Sequence, residues 1–473
     1  MSKLIQNASL YTLGNLIPKA VSLILLPIYT RYLSPEDYGI VTSMEVLSGV
    51  LLVFFTMAID RSIYRLYFEY KTAEAKREYL GTITIAIAVI SVSVLLLLFI
   101  FRSLIGQIFK SIEFYPFYVY AIFTAFLSVF SIVPKIYLQV NEKARKFLTL
   151  SILEFLLSSG LILWFVVVKK AGAVGMLEGR LFASIIILPL FLNISFRISD
   201  FKFKPEILKE SLAFSLPMIP SLLAVWMLDL SDRIFIERYF SLSDVGIYSL
   251  GYKIAGLIII FTSAFDKAYF PMFFRLANTE QQDEAKKKLY KYNNYYVLAL
   301  LSVVFFISFF SNEAIVFLLD PKYKESAKIV PVIALAYFIS QSSGLLNLSI
   351  YQAKKTKQIM YITLGSAGLN LFLNFLLVPR FGAYGAAYAT VFSYGFFFVV
   401  KLWYAKKCYY IPFNWSRIAL SFFPLAILTI VFQYIFQTFS YWSLLLKVLI
   451  VGSIATLFVR KYPEQFSRML VFR

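Results

Sequence analysis

Two lysines of this sequence lie inside long apolar stretches, where a cation is costly unless it has a partner or a task. Lys19 follows Pro18, and Lys253 lies between Gly251 and Gly256. A charge at the centre of a bilayer costs at least about 2.5–3.5 kcal/mol on insertion scales. Cations in such a place can replace the water around an anion that crosses an apolar barrier. Lys19 and Lys253 are therefore predicted to bind an anionic substrate.

Acidic residues lie at comparable places in the same stretches. Glu45 and Asp229 have two open interpretations: they neutralise the lysines, or they bind Na⁺ or H⁺ to drive a coupled process. Five further charged residues complete the predicted site: Arg61, Lys267, Arg233, Asp60 and Asp266. The cations among them are predicted to bind substrate, and the acids to balance charge or bind a coupling ion. For Arg61 and Lys267 the alternative is the ordinary excess of basic residues at the cytoplasmic ends of spans.

The other intramembrane charges are expected to be less central. Glu178 and Arg180 lie near the outer end of a span, where an arginine can extend to the interface. Lys447 is expected to face lipid headgroups or a groove between the last two spans.

The composition explains why these charges are exceptional. Of the 473 residues, 60% are apolar and 15% are charged, against about 45–50% and about 25% in soluble domains. This balance excludes a soluble enzyme and a disordered protein. The sequence has one cysteine, Cys408, and no histidine, which excludes disulfides, histidine-ligated zinc and a Ser-His-Asp triad. The net charge of +20 comes from basic loops, so no nucleic-acid partner is expected.

Apolar runs of about 20 residues predict fourteen transmembrane helices. They lie at residues 8–30, 38–61, 80–101, 114–140, 147–168, 173–196, 211–232, 244–270, 292–312, 326–352, 358–378, 382–404, 413–437 and 442–460. The first run is interpreted as a span rather than a removed signal peptide. Loops on the N-terminal side hold 29 Lys and Arg and the opposite loops hold 11. This bias predicts an inner-membrane protein with both termini cytoplasmic, and the outward loops are too short for a catalytic domain.

The sequence repeats itself. RYLSPEDYGIVTSMEVLSG from Arg31 matches RYFSLSDVGIYSLGYKIAG from Arg238 at an offset of 207, and the residues around Gly172 match those around Gly382 at an offset of 210. Two six-helix units with the same orientation are therefore predicted. The predicted divisions are an N-terminal lobe, a C-terminal lobe, and two additional helices with a cytoplasmic tail: 1–200, 201–407 and 408–473.

Prolines interrupt the first and seventh spans, which correspond in the repeat. Broken helices at matching positions of two halves indicate a central binding site. The predicted hinges are Pro18, Pro27, Pro217 and Pro220. The expected fold is thus an all-α polytopic membrane protein, with two pseudo-symmetric six-helix lobes around a central cavity and two extra C-terminal helices.

The motif RYLSPEDYG after a proline-bearing first helix, the turns GAVG and FGAYGAAYAT, and the basic turn QAKKTKQ before Asn370 and Asn374 resemble the polysaccharide biosynthesis (O-antigen type) flippase family. That family belongs to the multidrug/oligosaccharidyl-lipid/polysaccharide exporter superfamily. The resemblance covers about residues 1–405 and implies that spans 1, 2, 7 and 8 line the cavity. It implies a non-enzymatic flippase for an isoprenyl-pyrophosphate-linked oligosaccharide.

The partners implied are this lipid-linked oligosaccharide and membrane lipids, with polysaccharide polymerase machinery as a further candidate. One two-lobed chain should suffice as a monomer, and no cofactor is expected beyond a coupling Na⁺ or H⁺. Three aromatic residues are candidates for sugar stacking: Tyr248, Tyr252 and Trp226. In lipid II flippases, a pair of extra helices forms a groove for the lipid tail.

Other functions remain as alternatives. A multidrug/cation antiporter of the same superfamily would favour an acidic cavity, and the two lysines argue against it. A membrane glycosyltransferase, polymerase or ligase would need carboxylate and metal chemistry or a large outward loop, and the sequence has no DxD motif. A scaffold or lipid scramblase leaves the lysines unexplained.

Overall fold

The computed structural model describes residues 3–279, 281–436 and 440–461, without the side chains of residues 3–9, 15, 19, 279 and 454–461. The described residues form helices and contain no β-strand. The first half of the chain contains α1 (Lys3–Ile24), α2 (Leu26–Tyr32), α3 (Pro35–Thr56), α4 (Asp60–Leu66), α5 (Ala73–Ile100), α6 (Arg102–Ile105), α7 (Val119–Ser128), α8 (Ile132–Val140), α9 (Ala144–Leu163) and α10 (Gly172–Ile198). The second half contains α11 (Pro205–Ser215), α12 (Ile219–Leu230), α13 (Asp232–Tyr239), α14 (Leu242–Ala255), α15 (Leu257–Thr279), α16 (Gln282–Phe309), α17 (Ser311–Leu318), α18 (Ser326–Gln352), α19 (Thr356–Lys406), α20 (Trp415–Ile435) and α21 (Tyr441–Lys461).

Eleven helical segments in the described part of the chain are long and apolar enough to cross a membrane, and the bent pair α1–α2 makes a twelfth. The predicted number of fourteen is therefore not confirmed. One reason is α19, whose 51 residues are counted as one segment although they comprise two helices joined at a kink. At about 1.5 Å per residue it would far exceed a bilayer core of about 30 Å. Its backbone is non-helical at Gly382 (φ 56°, ψ −135°), and a Cβ atom added to Gly385 would lie 2.4 Å from the carbonyl oxygen of Leu377. Residues eight apart cannot approach this closely in one continuous helix, so the chain folds back at Gly382 and forms two helices, as the predicted spans 358–378 and 382–404 require.

The repeated glycines Gly172 and Gly382 share an unusual backbone. Their φ angles are +57° and +56°, in the left-handed region that favours glycine. Gly172 also lies against Asp37, whose Oδ1 accepts a hydrogen bond from the amide of Ala173 at 3.0 Å. Asp37 completes a capping box with Ser34 at the start of α3, so one carboxylate fixes the ends of two helices.

The two copies of the repeated segment meet at α3 and α14. A Cβ atom added to Gly39 would lie 1.8 Å from the carbonyl oxygen of Leu242, and one added to Gly246 would lie 2.0 Å from that of Pro35. Gly39 corresponds to Gly246 in the repeat, and Pro35 corresponds to Leu242. The contact is therefore reciprocal, as in a two-fold interface. The helices touch backbone to backbone because neither glycine has a side chain.

The last two helices are attached to α16 and α17 by buried polar contacts. Lys447 Nζ lies 2.9 Å from Glu313 Oε2, and both side chains are almost fully buried. Lys447 also donates to the carbonyl oxygen of Phe309 at 2.7 Å, and Asn312 Nδ2 donates to that of Phe436 at 3.1 Å. The expectation that Lys447 faces headgroups or a groove is wrong, because Glu313 neutralises it inside the protein.

Lys447→Met is expected to destabilise the fold by about 3–5 kcal/mol, because it leaves the Glu313 charge buried without a partner. Adding Glu313→Leu should recover most of this loss, since the second substitution removes the uncompensated charge. Thermal unfolding of the detergent-solubilised protein measures both effects. Lys328→Met is the matched control, because its ion pair with Glu325 is about half exposed and such pairs contribute little. Equal stability losses in the two lysine variants would contradict the prediction.

Candidate functional site

Two broken spans border the candidate site. In the first, α1 and α2 meet at an angle of 42°, and Pro27 lies at the start of α2. In the other, Pro217 lies in a short 3₁₀ turn between α11 and α12, and Pro220 lies in the first turn of α12. Proline lacks the amide hydrogen that would continue the preceding helix. Pro18, by contrast, is accommodated inside α1.

Lys253 borders a small cavity between α1 and the α14–α15 junction. The cavity has a volume of about 230 Å³, and Leu16, Ser22 and Tyr337 are among the residues that line it. Lys253 Nζ lies 3.5 Å from the hydroxyl of Tyr38. A half-buried ammonium group thus lies beside a cavity, next to a broken span. Lys19, the other lysine assigned to substrate binding, has a side chain outside the described residues.

Glu45 pairs with an arginine from the sixth span. It lies near the middle of α3, and its carboxylate forms an ion pair with Arg180 of α10. The charges of Lys253 and Arg233 also act on it, although its side chain is 46% exposed. Exposure at mid-helix among three cations indicates that Glu45 faces space between the two halves. The expectation that Arg180 extends to the interface is therefore wrong, because Glu45 holds it.

Asp232 is the centre of a buried polar cluster. Its side chain is fully buried, and it accepts hydrogen bonds from the hydroxyls of Tyr248 and Thr390 and from Asn374 Nδ2. The Thr390 and Asn374 contacts are both 3.0 Å long. Asn374 Nδ2 also donates to Asn370 Oδ1 at 3.0 Å. These hydrogen-bond partners are neutral, and the charge of Arg233 also acts on the carboxylate.

Two amide atoms of this cluster have no hydrogen-bond partner within the described part of the chain, Asn370 Nδ2 and Asn374 Oδ1. An orphaned buried polar atom is costly. The oxygen and nitrogen of an asparagine amide are assigned from their surroundings and can exchange by rotation. Such a rotation of Asn374 would place a third oxygen beside Asp232 Oδ1 and Asn370 Oδ1, an arrangement that needs a cation between the oxygens.

Asp229 and Arg233 lie next to this cluster. Arg233 is 5% exposed, donates to the carbonyl oxygen of Asp229 at 2.6 Å, and lies 4.3 Å from the ring centre of Tyr252. The carboxylate of Asp229 accepts a hydrogen bond from Tyr394. Tyr252 and Tyr248, two candidates for sugar stacking, are buried; Trp226 is half-buried and donates to the carbonyl oxygen of Val46 at 3.0 Å.

The charges predicted at the inner ends of spans 2 and 8 lie close to other polar groups of the protein. Arg61 Nε lies 3.3 Å from the adjacent Asp60, and burial raises the pKa of that carboxyl against the opposing effect of Arg61. Lys267 Nζ donates to Thr12 Oγ1 at 2.7 Å, and Asp266 is half-buried beside it. The structure thus brings Lys253, Glu45 and Arg233 together, while Arg61 pairs locally.

Sequence reasoning missed two parts of the site: the partner of Glu45 and the environment of Asp232. The available signal for the second was the pair Asn370 and Asn374, which lie four residues apart and thus on one helix face. The described residues contain no group of three His, Cys, Asp or Glu side chains that could hold a metal ion. The Asp232 cluster contains one carboxylate with amide and hydroxyl groups around it.

Comparison with known protein families gives two matches. The family model described as "Polysaccharide biosynthesis protein" matches residues 4–277, more than half of the chain. The MatE model matches residues 217–376.

Curated relatives are distant. One, "Uncharacterized membrane protein" of Haemophilus influenzae, is 26% identical over 63% of this chain and 71% of its own length. Another, "Probable low-salt glycan biosynthesis flippase Agl15" of Haloferax volcanii, is 22% identical over 41% of this chain and 40% of its own length. The chain spans between 40% and 71% of the lengths of the curated relatives it matches.

Solved structures share the fold. "Lipid II flippase MurJ, inward closed conformation" superposes with a TM-score of 0.76 at 15% identity, over 96% of this chain and 99% of that one. An inward-facing multidrug resistance MATE family transporter of the MOP superfamily has a TM-score of 0.59 at 17% identity, over 87% of this chain and 95% of that one. These named structures are a flippase and a transporter, not enzymes.

Proposed function

Because this chain belongs to the polysaccharide biosynthesis protein family, we propose that it is a flippase that carries an isoprenyl-pyrophosphate-linked oligosaccharide from the cytoplasmic to the outer leaflet. The proposal rests above all on Lys253, a membrane-embedded cation beside a cavity that borders a broken span. A pyrophosphate loses its water when it enters the protein, and an ammonium group can replace part of that hydration. Lys19 is assigned the same role.

The proposed mechanism is alternating access by two six-helix lobes. At the end predicted to face outward, the backbones of α3 and α14 are too close to admit even a methyl group at Gly39. A sugar headgroup cannot pass between them there, so this crossing has to separate before release. The broken spans α1–α2 and α11–α12 would absorb the bending. The protein would then lower a transfer barrier without making or breaking a covalent bond.

Glu45 has a different role in this proposal. Its pairing with Arg180 and its closeness to Lys253 support a charge-balancing role. Glu45 would neutralise the cations of the cavity while no substrate is bound. An incoming pyrophosphate would compete with Glu45 for these cations. The substrate thus replaces an internal anion rather than entering against uncompensated charge.

Ion coupling is assigned to Asp232 instead of Asp229 and Glu45. Asp232 is buried and its hydrogen-bond donors are neutral, although the charge of Arg233 also acts on it. A cation bound there would also satisfy Asn374 Oδ1 after rotation of that amide. Na⁺ and H⁺ both fit a single carboxylate.

We place the protein in the inner membrane with both termini cytoplasmic. It would act as a monomer, with the polysaccharide polymerase machinery as a candidate partner.

A cation antiporter is the second candidate, favoured by the MatE match over residues 217–376. Small cationic substrates would be repelled by Lys253 and Arg233. The effect of reversing the charge at Lys253 therefore separates the two functions.

Lys253→Glu is expected to reduce polysaccharide export by at least about a hundredfold. Opposite charges about 4 Å apart gain about 4 kcal/mol at an effective dielectric constant of about 20, and the substitution turns this attraction into repulsion. The measurement is complementation of a strain that lacks its polysaccharide flippase, with membrane protein level controlled. Lipid-linked oligosaccharide should accumulate on the cytoplasmic face. Lys19→Glu should behave in the same way.

Lys324→Glu is the matched control, because that lysine lies exposed in the connection after α17. It should leave export unchanged. Full export by both the Lys19 and the Lys253 variants would contradict the anion-binding cavity and would favour the antiporter.

A further inference from the structure

A basic cleft lies at one end of the N-terminal helices and shares no residue with the site described above. It has a volume of about 540 Å³ and is formed by the end of α8, the start of α9 and the last turns of α10. Four cations contribute to its lining: Lys143, Arg145, Lys146 and Arg197. No Asp or Glu among the described residues lines it. The nearest acid in sequence, Glu142, is exposed outside the lining.

Neutral groups hold two of these cations in place. Lys143 Nζ lies 2.9 Å from the hydroxyl of Tyr137 and 4.6 Å from the centre of its ring. Arg197 Nε donates to Asn193 Oδ1 at 3.2 Å. Both side chains are thus ordered without being neutralised. A cleft of this size with four cations and an acid-free lining attracts an anion.

An apolar stripe continues from the cleft along the membrane span. Lys146, Leu150, Leu153 and Leu156 recur every three or four residues, so they share one face of α9. Leu153 and Leu156 are 44% and 59% exposed. The floor of the cleft is apolar as well, since Ile194 and other aliphatic side chains line it. The cations at the end of the span match the headgroup of an anionic phospholipid. The exposed apolar stripe beneath them matches one of its acyl chains.

We propose that this cleft binds the headgroup of an anionic phospholipid, with one acyl chain along the exposed face of α9. Basic pockets between transmembrane helices bind anionic headgroups in this way. The same phosphate chemistry occurs in soluble pyrophosphate, but a soluble anion would leave the Leu153–Leu156 stripe unused. The site lies outside the proposed transport cavity, so it does not depend on the identity of the transported sugar.

The test is native mass spectrometry of the purified full chain titrated with phosphatidylglycerol or phosphatidylcholine. The wild type should retain phosphatidylglycerol selectively. The triple variant Arg145→Gln, Lys146→Gln, Arg197→Gln should bind it about a hundredfold more weakly. The matched control removes three lysines from the corresponding turn of the second repeat: Lys354→Gln, Lys355→Gln and Lys357→Gln. It should bind phosphatidylglycerol like the wild type.

Two further measurements separate lipid from soluble anion. Excess inorganic pyrophosphate should not displace phosphatidylglycerol from the wild type. Leu153→Ser with Leu156→Ser should weaken binding without changing the charge of the cleft. Equal losses in the cleft and control triple variants, displacement by pyrophosphate, or unchanged binding by the leucine variant would each overturn the proposal.

Discussion

Gly39→Ala and Gly246→Ala are each expected to reduce polysaccharide export by more than tenfold. In either variant the new Cβ atom would lie within about 2 Å of a backbone carbonyl oxygen of the opposite helix. A carbonyl in a helix cannot rotate away as a side chain can, so α3 and α14 have to separate. Overpacking of well-packed interiors costs about 1–3 kcal/mol. We expect the upper end of that range here.

Complementation measures export in these variants, and thermal unfolding of the solubilised protein measures stability. Because the two glycines form one reciprocal contact, the double variant should be scarcely worse than either single variant. Gly344→Ala and Gly368→Ala are matched controls, since a Cβ atom there has no heavy atom within 4 Å. Normal export and normal stability in both test variants would show that this close approach is not needed.

This crossing also shows how much of the fold the sequence predicts. The offset of 207 residues pairs Gly39 with Gly246, and the structure places both in one reciprocal contact. The second offset pairs Gly172 with Gly382, and both have positive φ. Repeats retain glycine where the backbone admits nothing larger, so these matches carry structural information. The boundaries of the two lobes remain a prediction.

Span counting is less secure, for a physical reason. Hydropathy detects apolar runs, whereas continuity of a helix depends on single backbone angles. The predicted spans 358–378 and 382–404 lie on two helices that join at Gly382, where the chain folds back. The total of fourteen is not confirmed, because length and apolar composition give eleven or twelve segments in the described part of the chain, with Thr356–Lys406 counted once.

For the site, the sequence identifies charges but not their partners. Lys253 and Glu45 stand out because charge is rare in apolar runs. Arg180 lies 135 residues from Glu45, and Glu313 lies 134 residues from Lys447. Contacts over such separations arise from helix packing, which no local pattern encodes. From sequence alone, Arg180 is therefore expected at the membrane interface, and Lys447 at lipid headgroups or in a groove between the last two spans.

Asp232→Asn is expected to abolish the response of the protein to its coupling ion. Asparagine keeps the size of the side chain but removes the charge that a cation would neutralise. A ligand that binds only the folded state stabilises it by RT ln(1 + [L]/Kd). If Na⁺ is the ion, the wild type should therefore unfold at a higher temperature in NaCl than in choline chloride, and Asp232→Asn should unfold equally in both. If H⁺ is the ion, the unfolding temperature of the wild type should instead change with pH, and that change should be lost in Asp232→Asn.

Asp229→Asn is the informative comparison, because Asp229 is one of the acids that the sequence predicts for ion coupling or charge balance. Asp229 is only half-buried and accepts from Tyr394. Asp232 is fully buried and accepts from three donors, one of which is Asn374 Nδ2; the Oδ1 atom of Asn374 has no partner among the described residues. We therefore expect Asp229→Asn to keep the ion-dependent stabilisation, and Asp232→Asn to reduce export by at least tenfold. If only Asp229→Asn loses the ion-dependent stabilisation, the coupling site is Asp229 and not Asp232. An unchanged response in both variants would exclude both carboxylates as the coupling site.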